Sequence, residues 1–107
     1  MTIMIRGKSD RALTAVKKGL LDYLREHPHA QIDLYRYNAL SIRIRVIDPE
    51  FAGMRKTERH DLVWGYLEKL PDRIQGDISM VTLLSPEEVP RSLGNLEFEN
   101  PTPSLIP

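Results

Sequence analysis

His60, with Arg59 before it, is the side chain whose chemistry stands out first, because an imidazole titrates near neutral pH and can carry a proton. Acid–base catalysis also needs a second group and a concave site. The chain has no cysteine and no Gly-x-Ser-x-Gly elbow. No nucleophile stands at motif spacing, no catalytic residue is assigned, and the chain is expected not to be an enzyme. His60 then reads as a hydrogen-bonding residue. His27-Pro28-His29 offers two imidazoles, but two ligands rarely hold a metal and the third histidine lies on another element. A protonated histidine is favourable near a helix C-terminus, so these two read as a helix end, and neither a metal nor a cofactor is expected. Arg43, Arg45 and Tyr35 form a third group. Basic residues interleaved with an aromatic on one strand face could contact phosphates and stack a base, with a solvated strand face as the alternative.

The elements that must position these groups follow from hydrophobic period. Leu13, Val16, Leu20 and Leu24 recur at helical spacing after a cap at Ser9 or Asp10, with Ala12 and Tyr23 alongside. His27-Pro28-His29 ends that helix, because proline disfavours a helical residue before it. Residues 40–47 alternate, Leu40, Ile42, Ile44 and Val46 against Ser41, Arg43 and Arg45, which is the period of a half-buried strand. Residues 31–36 alternate too. A three-residue loop at Tyr37-Asn38-Ala39 would set Ile32 opposite Ile44, Leu34 opposite Ile42 and Asp33 opposite Arg43, an attractive pair. A second helix is expected from about Thr57, as cap, to Leu70, burying Leu62, Val63, Tyr66, Leu67 and Leu70. Trp64 lies beside that stripe. Residues 71–75 form a short extra turn closed by Gly76, and residues 77–84 a third strand, with a connection long enough for a parallel pair.

Length and composition set the outer bounds. A chain of 107 residues with 41% hydrophobic and 28% charged residues is one ordinary globular domain. Without cysteine it holds no disulfide and no thiolate metal centre. No signal-peptide core and no membrane-spanning run is apparent, and a cytoplasmic location fits. The net charge of zero conceals 12 Lys/Arg against 7 Asp/Glu in residues 1–60 and 3 against 8 in residues 61–107. Residues 91–107 are rich in proline and acid, with Pro101, Pro103, Pro107, Glu97 and Glu99, and read as an extended tail behind a domain of residues 1–90.

One segment adds a family resemblance. Phe51-Ala52-Gly53 is followed six residues after Gly53 by Arg59-His60 and then the apolar Leu62-Val63. This resembles the BolA-like proteins, where Phe-x-Gly and Arg-His take those places. Leu83-Leu84-Ser85-Pro86-Glu87-Glu88 resembles the Thr-Pro-Glu-Glu that follows the family's last strand. The resemblance spans roughly residues 10–90 and implies a type II KH-like fold of class α+β. The implied order is helix, strand, strand, helix, short helix, strand, with a three-stranded sheet covered on one face by helices. It also implies a regulatory or adaptor role through a protein partner, with Phe51, Gly53, Arg59 and His60 as the motif residues. In the family a two-iron two-sulfur site is shared with a monothiol glutaredoxin, through a histidine before the last strand and a second ligand in the first hairpin. Here Asp77 stands in the first place and the hairpin loop is short, so those ligand positions are not retained and a glutaredoxin-like partner loses its usual bridge. A nucleic-acid-binding regulator using Tyr35, Arg43 and Arg45 is the alternative, although residues 67–77 contain no Gly-x-x-Gly clamp.

Overall fold

The computed structural model describes residues 2–91; the expected tail lies otherwise outside the described residues. Asp10 is the cap of α1 (Arg11–Glu26), its Oδ1 accepting the Leu13 N–H at 2.9 Å. The predicted stripe is buried, Leu13, Val16, Leu20, Tyr23 and Leu24 all facing the core. Gly19 permits a close approach to the second long helix: a Cβ there would lie 3.4 Å from the Tyr66 carbonyl oxygen.

The domain is α+β, but its sheet has four strands, not three. β1 (Thr2–Ile5), β2 (Gln31–Asn38), β3 (Ser41–Ile47) and β4 (Ile78–Leu84) lie side by side in that order. β1 runs parallel to β2, Ile3 beside Ile32 and Ile5 beside Leu34. Its alternation is masked in the sequence because Met4, on the exposed side, is apolar like Ile3 and Ile5. β1 is held by pairing with β2 and by Ile3 and Ile5 packing on the core.

The hairpin register also differs from expectation, by two residues. Ile32 pairs with Val46, Asp33 with Arg45, Leu34 with Ile44 and Tyr35 with Arg43. The pairing slips between Arg36 and Asn38, which inserts an extra residue at Tyr37. The reversal falls at Ala39-Leu40, where the Asn38 side-chain oxygen accepts the Leu40 N–H at 2.9 Å. Leu40 is therefore at the tip and exposed, not on the core face. A shift of two residues keeps every side chain on its face, so Ile32, Leu34, Ile42, Ile44 and Val46 remain in the core as predicted.

After β3 a 3-10 turn (Pro49–Phe51) leads to α2 (Lys56–Leu67) and α3 (Asp72–Asp77), then to β4, parallel to β3. Thr57 is not the cap of α2 but lies in its first turn. Arg55 precedes the helix, and Glu58 Oε1 accepts its backbone N–H at 3.0 Å. The helices pack on the sheet face carrying Ile32, Leu34, Ile42, Ile44 and Val46, where Val63, Leu67 and Ile74 join the core. Among the described residues no helix is long and apolar enough to cross a membrane. A second 3-10 stretch, Pro86–Arg91, follows β4.

Ile44 and Leu67 are fully buried on the facing sides of sheet and helix. Ile44→Ala or Leu67→Ala should each cost about 2–5 kcal/mol, as for large-to-small changes in a packed core. Urea unfolding measures this, and a loss below about 0.5 kcal/mol, the scale of a surface change, would mean that the face is misassigned.

Candidate functional site

The two stretches that carry the BolA-like resemblance meet at one side chain. Phe51 is fully buried and Gly53 turns the chain at φ +81°, a conformation that glycine adopts without strain. This brings α2 in with Arg59 pointing back under the turn. The Arg59 side chain is 5% exposed, and its guanidinium lies 5.6 Å from the centre of the Phe51 ring. Its Nε donates to the Met54 carbonyl at 3.1 Å and its Nη1 to the Leu83 carbonyl at 3.1 Å. Its Nη1 and Nη2 donate to Glu88 Oε1 and Oε2 at 2.6 and 3.3 Å. Glu88 Oε1 also accepts the backbone N–H and the hydroxyl of Ser85, at 2.8 and 3.0 Å. The Arg59 guanidinium, helped by these Ser85 bonds, holds the Glu88 carboxyl down at about 2.

Glu88 is the partner that sequence reasoning missed. Ser85-Pro86-Glu87-Glu88 carries part of the resemblance, but nothing in the spacing ties it to a residue 29 positions earlier. The segment after β4 is a 3-10 stretch pinned by this pair.

Arg59 also acts on the sheet edge. Leu84 directs its carbonyl toward β3's end, accepting from the Asp48 N–H at 2.9 Å. Successive residues in a strand turn their backbone groups to opposite sides, so the Leu83 carbonyl faces the outer edge, and Arg59 takes it. His60 points elsewhere. It is exposed and stacks on Trp64, with ring centres 5.6 Å apart and planes 9° apart. Lys56, Arg59 and His60 from α2, with Val81, Thr82, Leu83 and Leu84 from β4, line a cleft of about 320 Å³.

The places where the resemblance puts iron–sulfur ligands also come together, but with other chemistry. Arg36, near the end of β2, donates to Asp10 Oδ2 and Oδ1 at 3.0 and 3.2 Å, to the Ala39 carbonyl at 3.2 Å and to Asp77 Oδ2 at 3.5 Å. The Arg36 hydrogen bond, chiefly, lowers the Asp10 carboxyl below its usual range. Asp77 and the hairpin tip are thus joined by a guanidinium. Neither thiolate nor imidazole is supplied there, and these residues do not fit an iron–sulfur cluster.

Tyr35, Arg43 and Arg45 do share one face of the sheet, the one turned away from the helices. It is more closed than a solvated strand face. Tyr35 is 2% exposed, Arg45 6% and Asp33 5%. Asp33 pairs with Arg45, not with Arg43, its Oδ2 accepting from Nε at 3.0 Å and from Nη2. Arg43 lies over the Tyr37 ring, 3.6 Å from its centre, and its Nη1 approaches the Tyr35 hydroxyl at 3.5 Å.

His27 closes α1 as expected of its position, its backbone N–H donating to the Tyr23 carbonyl. Its ring also meets Asp48 and Glu50, neighbours that sequence reasoning did not bring to it.

No protein-family model matches this chain, and no curated protein matches it either.

A carboxylate with a depressed folded pKa adds stability above its unfolded value, and that stability is lost as pH falls toward the folded value. Glu88→Gln should therefore lower stability at neutral pH, and the gap from the parent should shrink as pH falls from 4.5 toward about 2. Urea midpoints of both proteins across this range test it; a gap independent of pH would contradict the pairing. The Arg36–Asp77 contact gives a second expectation. After anaerobic iron–sulfur reconstitution, alone or with a monothiol glutaredoxin, the protein should stay colourless. A stable visible band that depends on Asp77 would overturn that.

Proposed function

We propose that this domain is a non-enzymatic, BolA-like adaptor that binds an extended acidic segment of a protein partner in the cleft between α2 and β4. The observation that carries this reading is the Arg59–Glu88 pair. It uses the residues of both BolA-like stretches to hold α2 beside the outer edge of β4, and leaves Lys56 and His60 at the lip. Among the described residues β4 pairs only with β3. Val81, two residues before Leu83, directs its backbone groups to the same outer edge, which suits addition of a strand. Lys56 and His60 supply positive charge to select acidic side chains, with His60 contributing when protonated. His60 does its work here as a binding residue stacked on Trp64, without proton transfer. Iron–sulfur sharing forms no part of this reading, because Asp77 stands in one ligand place and the short hairpin loop, tied to it by Arg36, supplies no second ligand.

Nucleic acid is the second reading, favoured by Arg43 stacked on Tyr37 on the opposite sheet face. Affinity purification from nuclease-treated extract of the source cells separates the two. The proposal expects a nuclease-resistant protein partner that a Lys56→Glu, His60→Glu variant fails to retain. Nuclease-sensitive recovery, unaffected by that variant, reduced by Arg43→Gln and steeply salt-dependent, would favour nucleic acid and overturn it.

A further inference from the structure

The C-terminus of α1 meets the 3-10 turn after β3. Three metal-binding side chains converge there, outside the α2–β4 cleft. His27 Nδ1 lies 2.9 Å from Glu50 Oε2 and 3.9 Å from Asp48 Oδ2. One donor atom from each of the three residues lies within 4.8 Å of the others. Around a tetrahedral zinc ion with bonds near 2.0–2.1 Å, neighbouring donors sit roughly 3.3 Å apart, so small side-chain shifts bring all three onto one ion. We propose that His27, Asp48 and Glu50 form a binding site for one divalent transition-metal ion of the zinc class.

The electrostatics of the place call for a cation independently of this geometry. Asp48 is fully buried, and among the described residues His27 is the only cationic partner within ion-pair distance of it or of Glu50. Two carboxylates facing one imidazole remain net negative even when that ring is protonated. They also sit against the C-terminus of a sixteen-residue helix, where the aligned peptide dipoles already present negative charge. A divalent ion bound by two carboxylates and a neutral imidazole gives zero net charge at the site.

The surroundings hold the donors in place. The Tyr23 hydroxyl donates to Asp48 Oδ2 at 2.6 Å, and the Glu50 N–H to Asp48 Oδ1 at 2.9 Å. The Tyr23 ring stacks on His27, centres 4.2 Å apart, and fixes the imidazole plane. A ligating carboxylate is usually held by hydrogen bonds like those at Asp48. Glu50 is about half exposed, so an ion can enter from solvent and keep water at its remaining position. One imidazole with two carboxylates suits zinc and its first-row neighbours better than calcium or magnesium.

Calorimetric titration of the full chain with zinc chloride tests the site, together with imidazole 1H–15N spectra. The expected result is saturable binding of one ion per chain, with the resonances of His27 moving and those of His29 and His60 unchanged. Glu50→Gln, a change at a half-exposed side chain that keeps the Glu50 backbone bond to Asp48, should weaken binding by about tenfold or more, the scale lost even with outer supports. His27→Gln should abolish it, and His29→Gln should leave it unchanged. Absence of saturable binding, shifts at His29 or His60 in place of His27, or equal affinity in Glu50→Gln would each overturn the site.

Discussion

A guanidinium taken out of water is costly unless every donor direction finds an acceptor. Arg59 makes four hydrogen bonds to three segments at once: the turn at Met54, the end of β4 at Leu83, and the 3-10 stretch at Glu88. Arg59 fixes the N-terminal part of α2, while Val63 and Leu67 seat the helix on the core. With Arg59 fixed, the next residue, His60, must face outward, and the cleft against β4 opens between them. The pair also shields part of an edge. An outer strand with unpaired carbonyls invites pairing with another chain; Arg59 covers one of those carbonyls, while among the described residues no strand pairs with the outer edge at Val81. Control of the edge and the offer of a binding groove thus come from the same contact.

The sheet presents two unlike faces to the rest of the molecule. One carries aliphatic residues under α1 and α2 and supplies most of the core. The other carries charged and aromatic side chains that are largely taken up with one another, Asp33 with Arg45 and Arg43 with Tyr37. A guanidinium already bound by a buried carboxylate has less to offer a phosphate than a solvated one. That difference is why the α2–β4 side, where Lys56 and His60 are exposed, carries the binding role proposed above.

What the sequence made legible was what period and punctuation encode. The α1 stripe, a cap at Ser9 or Asp10 that proves to be Asp10, and the alternation of Ile42, Ile44 and Val46 in β3 rest on local chemistry and lie where local reasoning put them, whereas Leu40 falls at the hairpin tip. The misses concern relations between distant residues. β1 has its alternation masked by Met4 and exists because β2 offers an edge. The hairpin register turned on one bulged residue, Tyr37, and on the Asn38 side chain closing the turn one step later than expected. At the candidate site Phe51, Gly53, Arg59 and His60 could be named in advance from the BolA-like resemblance. Glu88 could not be assigned, because its partner is contributed by another element. The meeting of His27 with Asp48 and Glu50 was hidden for the same reason: only the fold brings the end of α1 to the turn after β3.

The central claim is that Arg59 and Glu88 act as one unit that joins α2 to β4. A double-mutant cycle measures this most directly, using the unfolding free energies of the parent, Arg59→Met, Glu88→Gln and the double variant. If the two act as a unit, the single losses will exceed the double loss when summed, with a coupling energy of about 1–3 kcal/mol. Additivity within about 0.3–0.5 kcal/mol, the behaviour of independent sites, would contradict the account.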